Sequence, residues 1–179
     1  MSYLTPTELA RVWTLRPDVF STLTHHMSLF EARTGRRTTV PRDGGVRSLA
    51  RQGELYADSL DASGDVKPGY RAAKPDDSAH PLGAAYHLRI VGATSYADPG
   101  YETLAQIGEE LGMRAGLHFK GTPDPEHFET NESQQVRQRL WDDVVRRRLQ
   151  RTLVAVGVVS AIGACVWLGL KSFNRDTDD

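Results

Sequence analysis

Ser78-Ala-His-Pro-Leu-Gly-Ala-Ala-Tyr-His87 is the stretch on which the reading of this chain turns. Two histidines stand seven residues apart. A Pro-Leu-Gly turn follows the first, and the apolar run Leu88-Arg-Ile-Val91 follows the second. About forty residues on comes Asp124-Pro-Glu-His-Phe-Glu129. A catalytic zinc takes three protein ligands and leaves a fourth position for water. His80, His87 and His127 are the natural trio, because facing strand and loop positions can bring them to one point. A carboxylate must then take the proton from the water, and Asp124, Glu126 and Glu129 all surround His127. Asp124 lies three residues before it, in a loop. Glu129 lies two residues on in a strand, on the same face as His127. From there it can orient that ligand from behind.

The flanking sequence reads as a shell of helices and short strands. Thr5-Pro6-Thr7-Glu8 has the form of a capping box with proline at the first helical position. Leu9, Val12 and Trp13 give that helix a short apolar face. A second helix starts near Pro17, with Val19, Phe20, Leu23, Met27 and Phe30 at helical spacing. His25 and His26 are adjacent, so a helix points them apart, and rim positions are expected for both. Gly35 is a helix stop, and Thr38-Thr39-Val40 is a short strand. A loop, Pro41-Arg-Asp-Gly-Gly45, precedes a helix over 48–60, with Leu49, Gln52, Leu55, Tyr56 and Leu60 near one face. The stretch 61–77 is rich in Gly, Pro, Asp and Lys and reads as a long loop of the kind that borders functional sites. Next come a strand over 85–91, an amphipathic helix over 101–113 with Leu104, Ile107 and Leu111 inward, a strand over 114–119, and the short strand carrying His127. The irregular alternation argues against a doubly wound sheet. An α+β domain with a small antiparallel sheet and packed helices fits.

These motifs together resemble a known family: the zinc D-Ala-D-Ala carboxypeptidases and dipeptidases, with the related phage L-alanoyl-D-glutamate endopeptidases, which share the hedgehog/DD-peptidase fold. The family pattern opens Gly-aromatic-Arg-Ser/Thr with a Gln five residues after the Arg; here it reads Gly45-Val-Arg47-Ser48 with Gln52. It continues Ser-x-His-x-x-Gly-x-Ala-x-Asp, here Ser78, His80, Gly83, Ala85 and His87. It closes with a Gly, an aromatic and Asp/Glu-x-x-His-Phe-Glu, here Gly116, Phe119, Asp124, His127, Phe128 and Glu129. The match spans roughly 36–129. The resemblance implies zinc bound by His80 and His127, Asp124 as general base, Arg47 stabilising the oxyanion, and Ser78 and Gln52 at the substrate. One position departs from it: His87 stands where the family has a zinc-binding Asp. His87 either completes a three-histidine site, or fails to reach and leaves a weak two-histidine site, or belongs to a metal-free relic. The implied partner is a peptide stem of bacterial peptidoglycan, cut as an L-Ala-D-Glu endopeptidase or a D-Ala-D-Ala carboxypeptidase. The competing reading is a catalytically impaired peptidoglycan-binding or structural protein of a virion or envelope.

The formal net charge is −1, so nothing global points to nucleic acid. The single cysteine, Cys165, rules out an intramolecular disulfide and a cysteine-based zinc site. From Asn131 the character changes. Residues 131–151 read as a basic helical linker, with six arginines between 137 and 151. The nineteen residues 152–170 carry no charge. At about 1.5 Å per residue they approach the roughly 30 Å hydrocarbon core, so one transmembrane helix in contact with lipid is expected. Gly157 and Ala161 form a small-residue pair that could support homo-oligomers. The tail 171–179 is polar. The start of the chain lacks the basic and apolar segments of a signal peptide. The domains are thus expected as a peptidase domain over 1–130, with helices in 1–35, then linker, anchor and tail. The arginines on the catalytic side favour a cytoplasmic domain, a rule that a virion-borne or lysis-stage phage protein need not obey.

Overall fold

The computed structural model describes residues 4–67, 73–75, 77–121, 123–132, 136, 138–142 and 146. Residues 1–137 form one compact unit and 138–179 another. The expected membrane span at 152–170 lies outside the described residues. Among those, no helix is long and apolar enough to cross a membrane.

Helix α1, Pro6–Val12, starts with the capping box read from the sequence: Thr5 and Glu8 each bond the other's backbone N–H. Val12 is buried, but Trp13 is 72% exposed and takes no part in the expected apolar face. Helix α2, Pro17–Thr34, buries Val19, Leu23, Met27 and Phe30 and stops at Gly35, whose φ of 67° only glycine adopts readily. Its stripe packs on α4, Gly100–Glu110, which turns Tyr101, Leu104 and Ile107 inward. Phe30, Leu23, Tyr86 and Phe128 are fully buried between these helices and the sheet. Removing each from water stabilises the fold by about 1.5–3 kcal/mol.

Two small sheets meet at the core. Strand β1 (Thr38–Thr39) pairs antiparallel with β3 (Arg89–Ile90). Strands β2 (Ala85–His87), β5 (His127–Thr130) and β4 (Met113–Ala115) form an antiparallel sheet in the order β2-β5-β4. The single strand expected over 85–91 is therefore two. At Leu88 the chain changes partners: its N–H donates to Glu126 O, between the pairing with β5 and the pairing with β1. The strand expected over 114–119 likewise ends at Ala115 and tightens into a 3-10 turn, Gly116–His118. Helix α3, Leu49–Asp58, departs most from its pattern. Its buried residue is Gln52, not the leucines around it, because the helix is held by polar bonds rather than by an apolar face.

Candidate metal centre

His80 opens a 3-10 turn, His80–Leu82, and is only 2% exposed. Gly83 ends the turn in the left-handed region, at φ 68°. His87 is the last residue of β2 and His127 the first of β5, and the two are direct cross-strand partners. The turn brings His80 over the same point. Ring centroids lie 4.7 Å apart for His80–His87, 5.2 Å for His80–His127 and 5.1 Å for His87–His127. One ring nitrogen of each lies within 4.8 Å of those of the other two.

The hydrogen bonds decide which nitrogens face inward. His80 Nδ1–H donates to Gly45 O at 2.8 Å, so Nε2 carries the lone pair. That Nε2 is buried and has no hydrogen-bond partner among the described residues, a rare condition for a buried acceptor. His127 Nε2–H donates to Glu129 Oε2 at 3.3 Å, which leaves the lone pair on Nδ1. This Nδ1 stands 3.0 Å from His87 Nε2. Two ligands about 2.0–2.1 Å from a tetrahedral zinc stand roughly 3.3 Å apart, close to this separation. Burial, then the neighbouring cationic groups, pushes His80 and His87 well below the ordinary histidine range. Both are held in the neutral form that a metal requires. Donor type, tautomers and the orphaned Nε2 all fit zinc.

The other expected residues sit around this point in different ways. Arg47 is partly buried; its Nε donates to Asp43 O at 2.7 Å and its Nη1 to Gln52 Oε1 at 3.1 Å. Burial lowers its pKa to about 10, opposed by Asp43 and Asp124. Gln52 was expected at the substrate, yet it is fully buried and uses its Nε2 on Ala73 O at 2.8 Å. Its amide thus ties Arg47 to the 73–75 segment. Ser78 is buried, and its Oγ accepts a long bond of 3.4 Å from His80 N–H. Asp124 folds the loop before β5: its N–H donates to Gly116 O at 2.8 Å and its carbonyl accepts from His127 N–H at 3.1 Å. Glu129 also accepts from Arg114 Nη1 at 2.8 Å. Glu126, the third carboxylate near His127, is committed elsewhere, to Arg89 at 2.5 and 3.0 Å and to Tyr101.

Sequence reading placed both His25 and His26 at the rim. His25 is exposed, but His26 is wholly buried. Its Nε2–H donates to Leu104 O at 2.8 Å and its Nδ1 accepts from Tyr86 O–H at 3.0 Å. Sequence reasoning also missed the part of Gly44 and Gly45, whose carbonyls bind the site; the Gly-Gly pair was their signal. An open groove of about 780 Å³, lined by Arg114, His118, Phe119 and Lys120 among others, includes none of His80, His87, His127, Arg47, Ser78 or Asp124. The Phe119 ring meets His127 edge-on at 5.7 Å.

No family model and no curated protein matches the chain. Solved structures do. The LdcB LD-carboxypeptidase, described with the molecular basis of its peptidoglycan recognition, is 18% identical with a TM-score of 0.52; the match covers 69% of this chain and 70% of that one. A mutant of the vancomycin resistance D,D-pentapeptidase VanY, in complex with Zn(II), is 17% identical over 72% of this chain and 78% of its own, with a TM-score of 0.51. VanYB in complex with D-Alanine-D-Alanine is 16% identical over 76% and 82%, with a TM-score of 0.51. The chain has the fold of these peptidases.

Proposed function

We propose that the chain is a zinc-dependent peptidase acting on the peptide stems of bacterial peptidoglycan, as an L-Ala-D-Glu endopeptidase or a D-Ala-D-Ala carboxypeptidase. The observation that carries this is the convergence of His80, His87 and His127, with the Nε2 of His80 buried and unpartnered among the described residues. The shared fold and the motif resemblance supply the substrate class.

His80, His87 and His127 would hold the zinc. Bound there, zinc polarises a carbonyl and lowers the pKa of a water. The chain's own groups supply the rest. Glu129, held by Arg114, keeps Nε2 of His127 protonated and so keeps Nδ1 as the donor atom. Arg47 is a fixed cation in a shielded position, suited to negative charge growing on a substrate carbonyl. Gln52 prevents its guanidinium from swinging away. Asp124 takes the proton, and Ser78 supports the turn that carries His80.

Metal analysis and digestion of purified sacculi test the reading. One zinc per chain is expected, with new amino termini released in a chelator-sensitive way. A correctly folded chain that takes up no zinc would end the proposal. A second reading rests on the 3.0 Å contact of His87 with His127, which also closes as a direct hydrogen bond without metal. Sacculus binding without release would favour that non-catalytic module. The proposal extends to an anchored protein of a virion or bacterial envelope, with 152–170 in the membrane and Gly157 and Ala161 available for self-association. Only sequence supports this extension, and protease accessibility in sealed vesicles checks it.

A further inference from the structure

Two backbone carbonyls of one loop hold two of the three histidines. Gly44 O accepts His87 N–H at 2.7 Å, and Gly45 O accepts His80 Nδ1–H at 2.8 Å. The position of this loop is set by what lies beneath it. A Cβ on Gly45 would stand 2.0 Å from Arg11 O and 2.8 Å from Arg11 C, so the loop backbone rests directly on the end of α1. On the other flank of His80, Gly83 O accepts Arg16 N–H at 3.2 Å. A Cβ on Gly83 would stand 3.2 Å from Arg16 N and 3.3 Å from Thr14 O. Residues 11–16, the corner between α1 and α2, therefore touch the backbone on both sides of His80.

The corner is itself anchored to the approach of the same loop. Glu8 Oε1 accepts from Val40 N–H at 3.0 Å and from Thr39 O–H at 2.6 Å. Arg11 Nη1 donates to Val40 O at 2.5 Å. Val40 comes directly before Pro41 and the loop. Glu8, Arg11, Thr14 and Arg16, which make these contacts from one side, lie outside the 36–129 stretch that carries the motif, in a segment with no metal ligand of its own.

We propose that the α1–α2 corner, residues 11–16, is a positioning element for the metal ligands. It fixes the distance between the Gly45 carbonyl, which selects the tautomer of His80, and the turn that carries the His80 ring. Gly45 is a glycine because the corner leaves no room for a Cβ; at Gly83 the corner packs tightly, and the φ of 68° adds its own demand for glycine. The inference rests on the reading that the three histidines hold zinc. Coupling of this kind is reciprocal: if the corner orders the ligands, zinc bound to the ligands must order the corner.

Two measurements on the full-length chain test this. In the first, hydrogen exchange is followed with and without zinc. Amides in 11–16 are expected to exchange about tenfold more slowly with zinc, alongside those of 78–91 and 124–130. Protection confined to the last two segments overturns the proposal. In the second, Gly45→Ala is titrated with zinc against a chromophoric chelator and loaded with Co(II) for its d–d absorption. Outer-shell losses of this type cost about 10–100-fold in affinity, and the cobalt bands should change shape. A folded variant with unchanged affinity and an unchanged spectrum overturns it. If the variant does not fold, the exchange measurement decides. If the unaltered chain takes up no zinc, the peptidase reading fails first and the positioning proposal goes with it.

Discussion

At the scale of the residue, two buried histidines with opposite surroundings show what burial does to an imidazole. His80 uses one nitrogen on a carbonyl and presents the other, unpartnered among the described residues, beside His87 and His127. His80→Ala should bring zinc below one per chain by elemental analysis while circular dichroism stays near that of the unaltered protein. His26 has both nitrogens satisfied inside the core. Burial lowers its pKa from 6.5 to about 4, with the bond to Leu104 opposing. The unfolded chain therefore takes up this proton near pH 6.5 and the folded chain only near 4. The stability this represents is full above pH 6.5 and is lost as pH falls toward 4, a difference of about 3 kcal/mol. Urea unfolding from pH 7 to 4 should show a shallower loss in His26→Phe than in the unaltered chain; equal slopes would refute the assignment. His80 could be singled out because its motif is long. His26 stands three residues after Leu23 and four before Phe30, so helical spacing puts it beside the buried stripe of α2 and His25 on the other side. The partners that satisfy both its nitrogens, Leu104 of α4 and Tyr86, are brought in only by the fold.

At the scale of the element, β5 organises the site. Its first residue is His127, its third is Glu129, and strand alternation puts both on one face. The loop before it is folded tightly over Gly116. A Cβ there would stand 2.4 Å from Asp124 O and 2.9 Å from His127 Cβ. Gly116→Ala should cost about 1–3 kcal/mol by overpacking, read in urea unfolding, and should weaken zinc binding as well. Helix α1 depends on a buried acid. Burial pushes Glu8 upward, but its bonds from Thr39, Thr5 and Val40 outweigh this and bring it to about 2. Glu8→Gln keeps the shape and removes the charge. Hydrogen bonds to charged groups are worth about 1.5–3 kcal/mol, so a loss of roughly that size is expected at pH 7 and a much smaller one near pH 2. The capping box and the α2 stripe were legible because they depend on neighbours three and four residues away. The break at Leu88 was not, since an apolar run looks the same whether it pairs with one partner or two. Nor was Gln52 legible as the buried residue of α3, because its partners Arg47 and Ala73 come from a loop on either side.

At the scale of the whole molecule, the three histidines come from a turn and two strands of one compact unit, so zinc held by them would be coupled to folding. If Zn²⁺ binds only the folded chain, a hundredfold excess over Kd stabilises it by about 2.7 kcal/mol. Thermal unfolding should shift upward with zinc and back with chelator, and His80→Ala should be indifferent to both. The sequence by itself determined the mixed class of the fold and which three histidines it brings together. Its helices are written in short-range periodicity and caps, and its histidines, arginine and carboxylates in a motif of fixed spacing. Tertiary structure alone decided the rest: that His87 faces His127 across a strand pair, that Glu126 turns to Arg89 while Glu129 turns to His127, and that the α1–α2 corner lies under the ligands. The reason is physical. Spacing along a chain fixes what a residue can reach within its own element. Tautomers, burial and contact between distant segments depend on which surfaces the folded core brings together.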